Sequence, residues 1–284
     1  MSHPYTPFVE AIAKALDSGK TVPSGGFPSV ATPSSPEAPR VLVFAPHPDD
    51  ECIIGALPLR LLRERKCRVG VVAVTQGSNA ARQQPRLEEL RGAVGFLGWD
   101  LITTQAGGLL KVTPGGRDQE PALWAKAVSI VAEILKRERP QILFFPHDKD
   151  WNQSHIGTHF LVLDALRALG PDFKCTVVET EYWAANTAPN LMVEASVAIV
   201  ADLVAAISLH AGEVSRNPYH LTLPAWMCDN VRRGGELVGG QGGEVPDFRF
   251  ATLYRLRSWN GSELVERLQG GRILSASTDL SELF

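Results

Sequence analysis

The sequence predicts an α/β fold with a mostly parallel sheet flanked by helices, and three observations carry that prediction. Apolar runs of strand length alternate with amphipathic segments of helical period along most of the chain. The first two runs, residues 41–45 and 69–75, are joined by one such segment, a βαβ arrangement that pairs its strands in parallel. The polar turns after the runs at 41–45 and 141–145 hold the densest groups of histidine and carboxylate in the chain. Open α/β sheets bind ligands beyond the carboxyl ends of their strands, so both turns are expected on one rim.

Taken in order, residues 7–16 read as a short amphipathic helix with Phe8, Ile12 and Leu16 on one face, and a proline- and serine-rich stretch follows over 22–39. Residues 1–39 are thus expected to be an arm, packed on the main domain or a neighbouring subunit, or left as a mobile tail. Residues 40–284 are expected to form a single domain. Ile53, Ile54, Leu57, Leu61 and Leu62 give 51–65 a helical stripe, with Gly55 letting the helix approach the sheet closely. A helix over 82–97 takes Pro85 in its first turn and stops at Gly98, before a short strand at 100–104. The glycine-rich stretch 107–121 reads as a loop, 122–137 as a helix, 141–145 as a strand and 155–169 as a helix. Beyond a strand at 176–183 the pattern is irregular: a strand at 191–199, a helix at 201–210 and a late strand at 250–256. The prolines, aromatics and glycines of 217–243 read as a long functional or intersubunit loop.

Composition narrows the function. The 28 basic and 31 acidic residues give a net charge of −3 without single-sign blocks, which argues against a nucleic-acid or membrane-surface partner and for a small-molecule substrate. No segment approaches the ~20 apolar residues of a membrane span, and the N-terminus lacks a signal-peptide pattern. Cys52, Cys67, Cys175 and Cys228 form no CxxC pair and lie in or beside apolar segments, as expected of reduced cysteines in a cytoplasmic protein.

His47 and Asp50, three apart on a tight turn, can point to one place while Asp49 points past it. A catalytic zinc site needs about three protein ligands and an open position, so a third must come from elsewhere. The second turn offers His147, Asp148, Asp150, His155 and His159. His147 directly ends its strand and suits a structural role, and His159 is expected to face the interior. The competing reading of the first turn is that its aspartates merely cap the following helix.

PHPDDE (46–51), HIGTH (155–159), RLEELRGAVGFLG (86–98) and, more weakly, AISLHAGEVSRNPYH (206–220) together resemble the LmbE-like N-acetylglucosaminyl deacetylases, the PIG-L family. The resemblance implies a Rossmann-like fold, one divalent metal, usually zinc with iron an alternative, and hydrolysis of a sugar acetamide. It also implies His47, Asp50 and His155 as metal ligands, Asp49 as general base and Arg86 as an active-site cation. Arg86 has a second reading, as a helix-surface charge paired with Glu88 or Glu89. One departure stands out. The family's second motif reads HPDH, its first histidine a protonated catalytic group, whereas here Asn152, Gln153 and Ser154 precede His155. Asn152 can donate a hydrogen bond to an oxyanion but cannot protonate an amine. His147, Asp148, His210, His220, or Asp49 acting twice, are the candidates for the missing acid. Trp151, Tyr219 and Trp226 are candidate aromatic faces for the substrate, a small N-acylated sugar or conjugate. The rival readings are a zinc hydrolase for another amide or ester, and a non-catalytic sugar- or metal-binding protein. The arm and the late loop are the candidates for contacts in a homo-oligomer.

Overall fold

The structure is a computed structural model that describes residues 3–31 and 35–284. Five strands, Arg40–Ala45 (β1), Arg68–Ala73 (β2), Asp100–Thr103 (β3), Ile142–Pro146 (β4) and Cys175–Thr180 (β5), pair in parallel in the order β3-β2-β1-β4-β5. Ala251–Trp259 (β7) adds antiparallel to β5, Leu191–Glu194 (β6) and Arg272–Leu274 (β9) extend that edge, and Leu264–Glu266 (β8) pairs with β7. β1 is buried on both faces, which its unbroken apolar run requires of a central parallel strand. Val41, Val43 and Ala45 point into one hydrophobic core, and Leu42 and Phe44 into the other. Each of the larger side chains contributes about 1.5–3 kcal/mol by leaving water.

The order of the strands positions the candidate site. From β1 the chain winds outward through β2 and β3, then returns to the other side of β1 to form β4 and β5. β1 and β4 are direct neighbours, with Val41 opposite Ile142 and Val43 opposite Phe144. The turns after Ala45 and after Pro146 therefore emerge side by side, where the winding reverses and a crevice opens.

The helices mostly follow the hydrophobic period. Thr6–Ser18 (α1), Ala80–Leu97 (α4), Pro121–Glu138 (α6) and Gln153–Ala168 (α7) lie close to where the pattern predicts them, except that Asn79 caps α4 early enough to put Pro85 inside the helix rather than in its first turn. The segment 51–65 breaks into Asp50–Ile53 (α2) and Ala56–Glu64 (α3). Gly55 sits at the break, and its close approach is to a helix rather than to the sheet: a Cβ there would lie 2.6 Å from Leu203 of Val197–Ser208 (α8). The expected loop 107–121 contains a short helix, Pro114–Gln119 (α5), capped by the Thr113 side chain. The expected strand 191–199 ends at Glu194, because Ser196 caps α8.

The largest correction concerns 217–243. After the short helix Ala211–Val214 (α9), residues Tyr219–Leu237 form a helix of 19 residues (α10), not a loop. Its buried positions Leu223, Met227, Asn230, Val231 and Gly234 keep helical spacing, but a buried polar residue and a glycine break the apolar stripe. Asn230 donates to the Ala251 carbonyl, and Gly234 is needed because a Cβ would lie 2.5 Å from the Met192 sulfur. In the arm, the expected stretch 22–39 lies partly outside the described residues. Phe27 packs edge-on against Phe96, and Val30 N–H bonds to the Phe96 carbonyl. All four cysteines are unpaired. Among the described residues no helix is long and apolar enough to cross a membrane.

Candidate metal centre

The turn after β1 is built before any ligand is considered. Thr75, just past β2, donates its N–H and its hydroxyl to the Pro46 carbonyl and fixes the start of the turn. Asp49 follows at φ 111°, in the left-handed region that side chains other than glycine rarely adopt. Its N–H donates to Glu51 Oε2. Arg86, from α4, reaches in and donates to the Pro48 carbonyl at 3.0 Å. Gly77 makes that reach feasible, since a Cβ there would lie 2.6 Å from Arg86 Nη1. Arg86 is thus no surface charge: Glu88 pairs with Arg91, and Glu89 accepts from the Gly212 N–H.

Asp49, Asp50 and Glu51 are three consecutive carboxylates, all buried. Buried charge is costly unless paired. Each has its own partner. Arg86 Nη2 lies 3.8 Å from Asp49 Oδ1, His155 Nε2 lies 3.2 Å from Asp50 Oδ2, and His210 Nε2 lies 2.8 Å from Glu51 Oε1. Glu51 therefore holds the strained Asp49 backbone with one oxygen and a histidine from the α8–α9 junction with the other.

His47, Asp50 and His155 converge. His47 Nδ1 lies 3.3 Å from Asp50 Oδ2 and 3.3 Å from His155 Nε2, and Asp50 Oδ2 also accepts the His47 backbone N–H. Ligand atoms bound tetrahedrally at zinc distances sit roughly 3.3 Å from one another. The three atoms already have that spacing, and two imidazoles with a carboxylate are a donor set for zinc or iron. The residues fit a divalent cation.

The electrostatics agree with a site that wants positive charge. Burial works against a charged His155, but Asp50 and Asp150 outweigh it and raise its pKa to about 9. Asp50 is itself held far below the usual carboxylate range, with His155 and His47 overcoming the effect of burial. Asp49 is pushed well above that range, first by burial and then by Asp50 and Glu51, with Arg86 acting in the opposite sense.

The second turn delivers His155 at the start of α7. Asn152 is the N-cap, its side chain accepting from Ser154 N–H. Asp150 Oδ2 lies 3.5 Å from His155 Nδ1, which has no hydrogen bond among the described residues. The same carboxylate accepts from the N–H groups of Asn152 and Trp183.

The structure separates the candidates for the missing acid. His147 accepts from Lys149 N–H at Nδ1 and donates from Nε2 to the Ala184 carbonyl, so both ring nitrogens serve the loop. Asp148 is paired with Lys149 at the surface. His159 bonds to the Pro146 carbonyl in the interior, as expected. His210 is committed to Glu51. His220 lines an apolar cavity of about 730 Å³ beneath α1. Asp49 is left.

Sequence reasoning missed Tyr182 and Trp183, which follow β5 on the same rim. The Tyr182 ring meets the His155 ring edge-on at 4.6 Å between centroids, and Trp183 stacks obliquely on Tyr219 at 5.2 Å. The adjacency of β5 to β4 was the signal that could have found them. Of the three aromatic residues singled out in the sequence, Tyr219 and Trp226 line a cavity here and Trp151 is largely exposed.

No curated protein matches the sequence. The structure resembles N,N'-diacetylchitobiose deacetylase from Pyrococcus horikoshii at 17% identity and a TM-score of 0.56, covering 88% of this chain and 92% of that one. It resembles the A40926 pseudoaglycone deacetylase Dbv21 at 15% identity and 0.56, over 80% and 100%. The 4-carboxy-2-hydroxymuconate hydratase GalB from Pseudomonas putida KT2440 matches at 16% and 0.54, over 77% and 95%. At these identities the likeness is one of fold. The family model for GlcNAc-PI de-N-acetylase, PIG-L, matches residues 42–166, a span that contains His47, Asp49, Asp50, Arg86, Asn152 and His155. Residues 42–166 carry a PIG-L (LmbE-like) domain, and the candidate metal centre lies within that span.

Proposed function

We propose that this protein is a metal-dependent amidohydrolase that removes an acetyl or other acyl group from the nitrogen of an amino sugar or related small conjugate. The observation that carries this reading is the mutual 3.2–3.3 Å spacing of the His47, Asp50 and His155 ligand atoms, on a turn where the buried Asp49 directly precedes Asp50. The family's description and the deacetylases that share the fold support it. A hydratase shares the fold too, so the site has to decide the chemistry.

A divalent cation held by His47, Asp50 and His155, zinc by preference and iron as the alternative, supplies the Lewis acidity that polarises the amide carbonyl and acidifies a water. The chain's own residues do the rest. Asp49 takes the proton from the attacking water and keeps it until the C–N bond breaks, with Arg86 beside it to offset the charge of its carboxylate neighbours. It then returns the proton to the leaving amine, which leaves a carboxylic acid and a free amine. Asp49 thus serves twice, in place of the histidine that Asn152 replaces. Arg86 positions this carboxylate by fastening the Pro48 carbonyl, and sets a positive charge beside it. Asn152 positions His155 by starting α7.

The test combines metal content with amine release from a panel of N-acetylated sugars and conjugates. Wild type and Asp49→Asn are expected to hold about one divalent metal per chain and Asp50→Ala none, with release by Asp49→Asn down about 10²–10⁴-fold. Full release by Asp49→Asn would remove the base from the scheme. Turnover of esters with no release from any amide would replace the deacetylase reading.

A further inference from the structure

The rim of the candidate centre is chemically two-sided. On the side of α4 and α9 it is charged: Arg82, Arg86 and Arg216 gather around Glu213 next to Asp49. On the side of β5 and α10 it is aromatic. There a cavity of about 320 Å³ is lined by Ile53, Tyr182, Trp183, Tyr219, Leu223 and Trp226, with Thr222 at its margin. None of these carries a charge or a carboxamide.

The cavity adjoins the reacting position. Tyr182, one of its walls, is the residue in edge contact with His155, and Ile53 ends the short helix that begins at Asp50. Tyr219 is close enough to the carboxylates that, after burial, Asp49 is the main influence pushing its phenol up to about 12. The wall is also anchored to the centre, because Asp150, facing His155, accepts the Trp183 N–H.

A polyhydroxylated ring presents a hydroxyl on nearly every carbon and is held by carboxylates, carboxamides and guanidinium groups, because a buried hydroxyl without a partner costs about 1–3 kcal/mol. This cavity offers two phenols, two indole N–H groups and one threonine among broad apolar faces. Its size falls at the lower end of the ~300–1,000 Å³ typical of ligand pockets, room for one ring-sized group.

Resting on the amidohydrolase reading above, we infer that the natural substrate carries an aromatic or compact aliphatic group next to the scissile amide, seated between Trp183, Tyr219 and Trp226. The group is attached either through the acyl carbon or through the amine-bearing sugar. Both attachments present the same chemistry to the cavity.

Two matched pairs of probes separate them. The amine side is tested by the phenyl and methyl β-glycosides of N-acetylglucosamine, and the acyl side by N-phenylacetylglucosamine against N-acetylglucosamine. The expected result is a preference of at least about tenfold in kcat/KM for the phenyl member of one pair, in the range that pocket discrimination between apolar groups reaches. That ratio should fall towards one in Trp183→Ala, whose side chain is 39% exposed and leaves the core intact, and in Trp226→Leu. Binding of the same probes, followed by tryptophan fluorescence in Asp49→Asn, supplies a readout that does not need hydrolysis. Preferential binding of a phenyl probe that weakens in Trp183→Ala, with no amide cleaved by wild type, upholds the pocket and overturns the amidohydrolase. Cleavage with no phenyl preference in either pair, in rate or in binding, overturns the pocket alone.

Discussion

Glu51 is the residue on which the stability of the strained turn depends. One oxygen accepts the Asp49 N–H at 3.0 Å, and the other accepts from His210 Nε2 at 2.8 Å, all in the buried interior. Hydrogen bonds to a charged group contribute about 1.5–3 kcal/mol each, which puts Glu51→Ala at roughly 3–6 kcal/mol destabilising. His210→Ala removes one of these bonds, leaving Oε1 only the weak Cys52 thiol donor, and is expected to cost about 1.5–3 kcal/mol. Because the double variant loses the shared bond only once, its cost should fall short of the sum of the single ones by about 1.5 kcal/mol or more. Urea unfolding of wild type, both single variants and the double variant measures this cycle, with an unchanged m-value required for the comparison. Costs that add to within about 0.5 kcal/mol would refute the coupling of α2 to the α8–α9 junction through this pair.

Three further outcomes follow from the geometry. Asp150→Asn, which removes the carboxylate facing His155 Nδ1, is expected to weaken metal affinity about 10–100-fold in competition with a chromophoric chelator. Unchanged affinity would leave Asp150 only its backbone hydrogen bonds. Gly77→Ala introduces strain at φ 83° and drives a Cβ against Arg86, so a loss of about 1 kcal/mol or more should come with slower amine release; a silent substitution would show that Arg86 is not held by this approach. Burial depresses the pKa of His159 to about 4, so the unfolded chain, with an ordinary histidine, binds the extra proton between about pH 6.5 and 4. Stability contributed by the neutral ring is present above that window and lost as pH falls through it, by up to about 3 kcal/mol, and His159→Gln should flatten that slope in pH-dependent urea midpoints.

Much of this was legible in the residues. The winding that brings His47 and His155 together follows from strand and helix periods, because successive parallel strands need crossovers and the turns must share a rim. The first turn was legible as a candidate site, because a histidine and an aspartate three apart can point to one place; His155 was singled out from the five candidates of the second turn only by the resemblance to the PIG-L family. What was not legible lies in contacts between segments distant in sequence. Glu51 finds His210 159 positions away, and nothing local marks the two as partners. Arg86 reads equally well as a helix-surface charge until Gly77 is seen to clear its path. Helix α10 was hidden because Asn230 and Gly234 occupy buried positions where the periodic pattern calls for apolar side chains; one is satisfied by the Ala251 carbonyl and the other by close packing on Met192.

Asn152 shows why the histidine that the family resemblance implies at this turn cannot be introduced by one exchange. Its side chain accepts from Ser154 N–H and begins the helix that presents His155 three residues later. A histidine there would bring an imidazole to the rim but give up a favoured helix start, at about 1 kcal/mol, on the very turn that aims a candidate metal ligand. A proton donor and a helix start compete for one position. Introducing that histidine therefore needs a second change, at Gln153 or Ser154, to begin α7 again, and an Asn152→His variant alone disturbs the presentation of His155 before it supplies an acid.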